Sequence, residues 1–407
     1  MAKPKKTNRA QARAIQYESC AKTKINNTYD ICIAGGGAAG LTAAITAAET
    51  GVSVLVLEQE VECGKKILAT GNGRCNFTNE NLDPAFYSDP KLVENIFKDN
   101  PLEEIQDFFS KSFLMWTKEG SLYYPRSLQS SSVRDLLVLR ARKAGVTLGC
   151  GREITKITGS SNNFNVVFKE MFGRHNTNRV KAKKVIVTTG GGYASMLSGY
   201  NLATTSFSPC LCAISTYKPP SESVDGRRVT CKVTLTRNNK KVTSQIGEVM
   251  FRKYGLSGIA IFNLSRYAQP KDKLVVDMFY DTDKAYLLDY LTQNKDTKSL
   301  LYGMVDPKVA DEILRQTNSN VNKVFNMLTN LTYEVKELAN TKAAQVTKGG
   351  IKTQEVNPNT LEVNRVEGLY LAGEVLDIDA DCGGFNLSWA WLSGMRSSMA
   401  ATSSLRG

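Results

Sequence analysis

Tyr29-Asp30-Ile31-Cys32-Ile33-Ala34-Gly35-Gly36-Gly37-Ala38-Ala39-Gly40 decides the fold of this chain. The first six residues are an apolar run bounded by glycine, as a strand buried in a parallel sheet requires. Residues 41–50 are Ala-rich and read as a helix, Gly51 ends it, and residues 52–57 read as a second buried strand closed by Glu58. Strand, GxGxxG, helix, strand and acid within about 30 residues make a dinucleotide-binding arrangement. Gly35 permits the tight turn, Gly37 lets backbone approach a pyrophosphate, and Gly40 lets helix and strand pack closely. Ala38 and Ala39 lie in the turn that leads into this helix, whose N-terminal N–H groups and dipole favour phosphate. Glu58 can accept hydrogen bonds from ribose hydroxyls, which favours FAD or NAD over NADP.

The next segment separates FAD from NAD. Residues 64–79, GKKILATGNGRCNFTN, form a glycine- and amide-rich loop where simple NAD dehydrogenases enter another βα unit. Such a wrap suits a longer cofactor with a ribityl chain and an isoalloxazine, so FAD is expected. Its candidate contacts are Lys65, Lys66, Thr70, Gly71, Asn72, Gly73, Arg74, Cys75 and Asn76. Residues 184–192, KVIVTTGGG, read as a strand entering a glycine turn and add Thr189, Gly190 and Gly191. Residues 368–374, GLYLAGE, repeat that pattern and add Gly373 and Glu374. Gly383, Gly384, Asn386 and Leu387 lead into an apolar helix over 387–400, whose N-terminus would stabilise the anion of reduced flavin.

Composition sets the outer limits. With 407 residues, 42% apolar and 22% charged, the chain reads as a globular protein of two to three domains. Disordered, collagenous and disulfide-scaffold classes are excluded. No apolar run is long enough to span a membrane and the N-terminus lacks a secretory core, so a cytoplasmic protein is expected. The net charge is +13, with seven basic residues against Glu18 in residues 1–28. That segment reads as a disordered basic tail, with contact to RNA or a membrane surface as the alternative. No RNP, zinc-finger or KH pattern occurs, so no nucleic-acid partner is expected. His175 is the only histidine, which closes histidine-based triad chemistry. Nine cysteines without a CxxC argue against zinc and dithiol exchange. Asp377, Asp379 and Asp381 lack the Gly and terminal Glu of a calcium loop, and no metal is expected. No second GxGxxG follows a strand, so NAD(P)H would bind only transiently as electron donor.

The expected class is α/β, with a Rossmann-type FAD-binding domain over 29–192 and 346–407. It is interrupted by a β-rich, substrate-side module at 193–283 and a helical cap at 284–345. Helices are expected at 285–293, 309–316, 321–331 and 333–339, and residues 90–145 read as mostly helical.

The motifs at 35–40, 64–79 and 368–394, with 247–265 (GEVMFRKYGLSGIAIFNLS) and 346–351 (VTKGGI), resemble the BaiN/RdsA group of NAD(P)/FAD-dependent oxidoreductases. The resemblance implies a glutathione-reductase-like FAD domain with an inserted substrate-side region. The group includes a reductase of conjugated double bonds in oxo-bile acids and an oxidase of small aminoketones. The chain departs from the pattern at Arg252-Lys253, where many relatives carry Thr-His, and at Ile259, where they carry proline. Both lie in the insert, so the substrate is not carried over. Hydride transfer between flavin N5 and a small organic substrate is expected, first as reduction of an enone-like double bond. An amine or aminoketone oxidase using oxygen is the second reading, and a flavin-binding protein whose tail recruits RNA or membrane the third. The catalytic candidates are Arg74, able to stabilise charge at the isoalloxazine, and Lys253, able to bind an anionic substrate.

Overall fold

The computed structural model describes residues 9–192, 196–294, 296–339, 341, 344 and 346–406. These divide into two compact units, Met1–Ser208 with Thr347–Gly407, and Pro209–Val346. The inserted unit thus begins after residue 208, where the sequence reading put its start at 193.

The first unit opens with helix α1 (Arg9–Cys20), inside the segment expected to be disordered. Its Tyr17 and Cys20 are buried against Phe172, which gives a short basic helix an apolar seam to fold on. Strand β1 (Thr28–Ala34) then runs into helix α2 (Ala38–Ala48) and strand β2 (Val54–Glu58). A two-residue strand β3 (Thr78–Asn79) precedes helices α3 (Pro90–Phe97) and α4 (Pro101–Ser110). A hairpin of β4 (Trp116–Glu119) and β5 (Leu122–Pro125) interrupts the expected helical stretch before α5 (Ser130–Lys143). Asp89 caps α3 by accepting from the Leu92 N–H.

Strands β6 (Thr147–Cys150), β7 (Arg152–Ser160), β8 (Asn163–Glu170) and β9 (Thr177–Val187) extend the main sheet in the order β6-β2-β1-β9-β8-β7. The β6-β2-β1-β9 half is parallel and the β9-β8-β7 half antiparallel. Ala34 aligns with Leu57 on one side and Val187 on the other, so three strands end level at one carboxyl edge. In open α/β sheets that edge is where ligands bind.

The second unit follows strand β10 (Thr204–Cys210). It consists of β11 (Ala213–Thr216), the long antiparallel pair β12 (Arg228–Arg237) and β13 (Lys240–Arg252), β14 (Gly255–Ser257), helix α6 (Ile259–Ser265) and β15 (Lys273–Asp277). Four helices follow, α7 (Lys284–Gln293), α8 (Thr297–Met304), α9 (Pro307–Thr317) and α10 (Val321–Thr329). Residues 333–339 were expected to be helical but belong to strand β16 (Leu331–Ala339). That strand pairs with both β11 and β15 and closes a barrel, and the two ladders outweigh the helix propensity of its Glu, Lys, Leu and Ala.

The first unit resumes through β17 (Val346–Ile351) and completes its sheet with β18 (Leu369–Leu371), parallel to the end of β9. Helix α11 (Phe385–Arg406) then packs along α2, with Ser398 Oγ donating to the Ala43 carbonyl at 2.8 Å. Gly394 makes that approach possible, because a Cβ there would stand 2.5 Å from the Ala39 oxygen.

Candidate active site

The carboxyl edge of β1 is shaped by glycines that serve different ends. Gly35 has φ +101°, and a Cβ on it would press on the Thr188 carbonyl at 2.9 Å. On Gly40 a Cβ would stand 2.0 Å from the Gly35 oxygen, so this position is filled by the fold itself. Gly37 is the reverse, since a Cβ there would meet nothing within 4 Å. It is the N-cap of α2, extended and without a side-chain cap, so the first-turn N–H groups of Ala38, Ala39 and Gly40 have no acceptor within the helix. This is a cradle for an anion.

Glu58 stands beside that turn. Its Oε2 accepts from the Gly36 N–H at 2.7 Å and its Oε1 from the Glu60 N–H at 2.9 Å. Burial pushes its carboxyl above the usual range, against the pull of these two N–H groups. The carboxylate therefore fixes the glycine turn and retains acceptor capacity for a ribose.

The wrap expected around a flavin is a 3-10 segment, Lys65–Gly73, broken at Thr70–Asn72. Gly71, Asn72, Gly73 and Cys75 have φ of +55°, +54°, +85° and +55°, left-handed conformations that glycine and asparagine adopt readily and that Cys75 holds while fully buried. Cys75 is fully buried, and burial pushes its thiol up to about 11, so it is an inert packing group. The Oδ1 of Asn76 and the Oγ1 of Thr189 are buried without a hydrogen-bond partner in the protein. Two orphaned polar atoms at positions read from sequence as cofactor contacts fit a polar ligand that completes them. Gly384 lies against Asn76, where a Cβ would be 3.0 Å from Oδ1.

Distant segments meet here. Lys66 pairs with Glu374 at 3.4 Å, and a Cβ on Gly190 would be 3.3 Å from each of their charged ends. Gly373 lies against Ala39. Asn79 Nδ2 donates to the Gly383 carbonyl at 2.8 Å, and Thr78 Oγ1 and Ser388 Oγ lie 2.9 Å apart. FAD would be held by the α2 cradle, Glu58, Asn76 and Thr189.

Other expected contacts have protein partners instead. The Asn386 amide is engaged at both ends by the backbone of Ala380, which makes it a brace of the loop before α11. Lys65 pairs with Glu60 at 2.7 Å, and Thr70 Oγ1 donates to the Ile67 carbonyl. Gly191 packs near the Phe207 ring, and Leu387 is half-buried in the first turn of α11. Arg74 pairs with Glu119 and lies 4.3 Å above the Tyr124 ring, half-exposed beside the wrap. Lys253 lies in the other unit, between β13 and β14, exposed, with its backbone N–H donating to Asp225. Among the described residues no cluster of three or more His, Cys, Asp or Glu could hold a metal. No helix among them is long and apolar enough to cross a membrane.

Sequence reading missed two features. Trp389 and Ser393 grip the Gly373 turn, which helical spacing alone could have suggested. Cys63 and Cys150 face each other across 3.6 Å, which no local spacing signals.

The chain is similar to the 3-dehydro-bile acid delta(4,6)-reductase of Clostridium scindens, 32% identical over 91% of this chain and 98% of that protein. It is 27% identical to the ribosomal RNA dihydrouridine synthase of Escherichia coli, over 90% of this chain and 96% of that one. In fold it is similar to 3-ketosteroid delta1-dehydrogenase of Sterolibacterium denitrificans, with a TM-score of 0.54, 13% identity, and coverage of 93% and 100%. Residues 29–400 match the HI0933-like protein Rossmann domain, and the chain belongs to that family.

Proposed function

We propose that this protein is an FAD-dependent oxidoreductase that reduces a carbon–carbon double bond conjugated to a carbonyl, with NAD(P)H as the electron donor. The observation that carries the reading is the open cradle at Gly37 together with the orphaned Asn76 Oδ1 and Thr189 Oγ1. The curated relatives support the reaction class. One is named a 3-dehydro-bile acid delta(4,6)-reductase and the other a ribosomal RNA dihydrouridine synthase, and both names denote addition of hydrogen to a double bond.

FAD supplies the hydride chemistry when bound. The first turn of α2 would hold the pyrophosphate and Glu58 the ribose, while Asn76 Oδ1 and Thr189 Oγ1 would accept hydrogen bonds from, or donate them to, polar atoms of the cofactor. Arg74, fixed by Glu119 and Tyr124, presents a permanent positive charge beside the wrap, suited to the oxygen that gains charge as a conjugated carbonyl is reduced.

A second reading keeps this chemistry and places the double bond in a uracil ring of RNA. The net charge of +13 favours it, as does the dihydrouridine synthase relative.

Anaerobic titration with NADH and then NADPH, followed at the flavin absorbance near 450 nm, tests the donor. Bleaching by either nucleotide, reversed by a conjugated enone steroid or by uridine-containing RNA, identifies donor and acceptor together. A band that neither nucleotide bleaches would overturn the assignment of NAD(P)H as donor.

A further inference from the structure

Cys63 and Cys150 are 87 residues apart in sequence, and their sulfurs lie 3.6 Å apart. Cys150 ends β6, in register with Glu58 on β2. Cys63 is buried just past the same strand end, and a Cβ on Gly36 would stand 2.5 Å from its sulfur. The next residue, Gly64, donates its N–H to the Gly36 carbonyl at 2.7 Å. Cys63 therefore lies against the peptide that forms the dinucleotide turn.

We infer that Cys63 and Cys150 are a peroxide-oxidisable dithiol whose disulfide disturbs the Gly36–Glu58 turn and weakens retention of the dinucleotide. The inference rests on the proposed cofactor for the retention step only. Cys150 is the half-buried member and the one that oxidant reaches, while Cys63 is its buried resolving partner. The hydrogen bond from Cys63 holds the Cys150 thiol below its usual range, with Arg142 adding to the effect and burial and Glu58 opposing it. The Cys63 thiol is raised by the same hydrogen bond and by burial. A lowered thiol beside a resolving thiol is the arrangement of a redox-sensitive cysteine.

The chemistry balances with hydrogen peroxide as oxidant. The Cys150 thiolate attacks one peroxide oxygen, forming an S–O bond as the O–O bond breaks, and hydroxide leaves as water after protonation. The Cys63 sulfur then displaces the sulfenic oxygen, forming the S–S bond, and its proton departs with that oxygen as a second water. Two thiols lose two electrons and peroxide gains them. Closing the pair from 3.6 Å to a bond of about 2.05 Å shifts Cys63 and the Gly64 N–H that grips Gly36.

The test treats the FAD-loaded full chain with hydrogen peroxide, then titrates thiols and maps peptides by mass spectrometry. The thiol titre should fall from nine to about seven, with a Cys63–Cys150 linked peptide that dithiothreitol removes. FAD recovered after desalting should fall several-fold and return on reduction and reloading. C63S should carry a dimedone adduct on Cys150, and C150S should show neither adduct nor loss of FAD. An unchanged thiol titre, or a Cys20–Cys150 linkage instead, would overturn the pair. A Cys63–Cys150 disulfide with unaltered FAD retention would overturn the link to the turn. The linked peptide is read without reference to any cofactor, so its failure is distinguishable from failure of the FAD assignment.

Discussion

Trp389 donates its indole N–H to the Gly373 carbonyl at 3.1 Å, while Ser393, one turn further along α11, accepts that glycine's N–H at 2.9 Å. The last helix thus sets the shape of a left-handed turn, φ +71°, that lies against Ala39 at the start of α2. Trp389→Phe would leave a buried carbonyl without its donor, a loss of about 1–3 kcal/mol. Thermal unfolding should move down accordingly, with weaker FAD retention. A variant that melts with the wild type would show that the bond does not support the fold.

Two glycines of the fingerprint should fail in different ways. A Cβ on Gly37 meets nothing within 4 Å, so Gly37→Val should change stability by less than about 1 kcal/mol while flavin content collapses. Gly40→Ala drives a methyl to 2.0 Å from the Gly35 oxygen, so the folded state itself should be lost or severely destabilised. Circular dichroism melts beside absorbance at 450 nm separate the two. Equal melting temperatures for both variants would contradict the geometry.

Arg74 and Glu119 form a half-exposed pair, and solvent screening leaves such pairs little part in stability. Arg74→Met should therefore leave the melting curve nearly unchanged yet slow reoxidation of the reduced flavin by a conjugated enone at least tenfold. Reoxidation at the wild-type rate would remove Arg74 from the reaction.

Glu312 gives the barrel unit an acid limit. Arg315 holds its carboxyl down to about 2, with Gln316 and Ser223 also donating to it. The folded form binds this proton less tightly than the unfolded chain, so ionisation stabilises the fold. That stability is complete above the ordinary carboxyl range and is lost as pH falls through about 2. Because solvent surrounds Arg315, screening keeps the contribution small. Urea melts should show Glu312→Gln less stable than wild type at pH 7, with the gap closing below pH 4. A gap independent of pH would assign the loss to packing.

The dinucleotide half of the fold was legible because its signals are contiguous: an apolar strand, three glycines, an Ala-rich helix and an acid follow one another from Tyr29 to Glu58. Elements defined by distant partners were not. Residues 333–339 became a strand because β11 and β15 flank them, and α1 folds because Phe172 covers Tyr17 and Cys20. Site residues divide in the same manner. Gly37 has open space beside it, and Asn76 and Thr189 carry unspent polar atoms. Lys65 and Asn386 carry the same kind of motif signal, but Glu60 and Ala380 engage them. Residue type alone does not distinguish an atom awaiting a ligand from one already bonded.

Strand β9 is shared, pairing with β8 near its start and with β18 at its end, and β18 comes from residues 369–371. On the ribosome, Val187 emerges well before its neighbour Leu371, by roughly 10–40 s at usual rates of synthesis. Until then the Val185–Val187 end of β9 is paired on the β1 side alone, α2 has no α11 beside it, and the Gly373 turn does not exist. A nascent chain therefore has no complete pocket to load. Yellow colour should appear only after translation has passed α11 and never on chains arrested within the barrel.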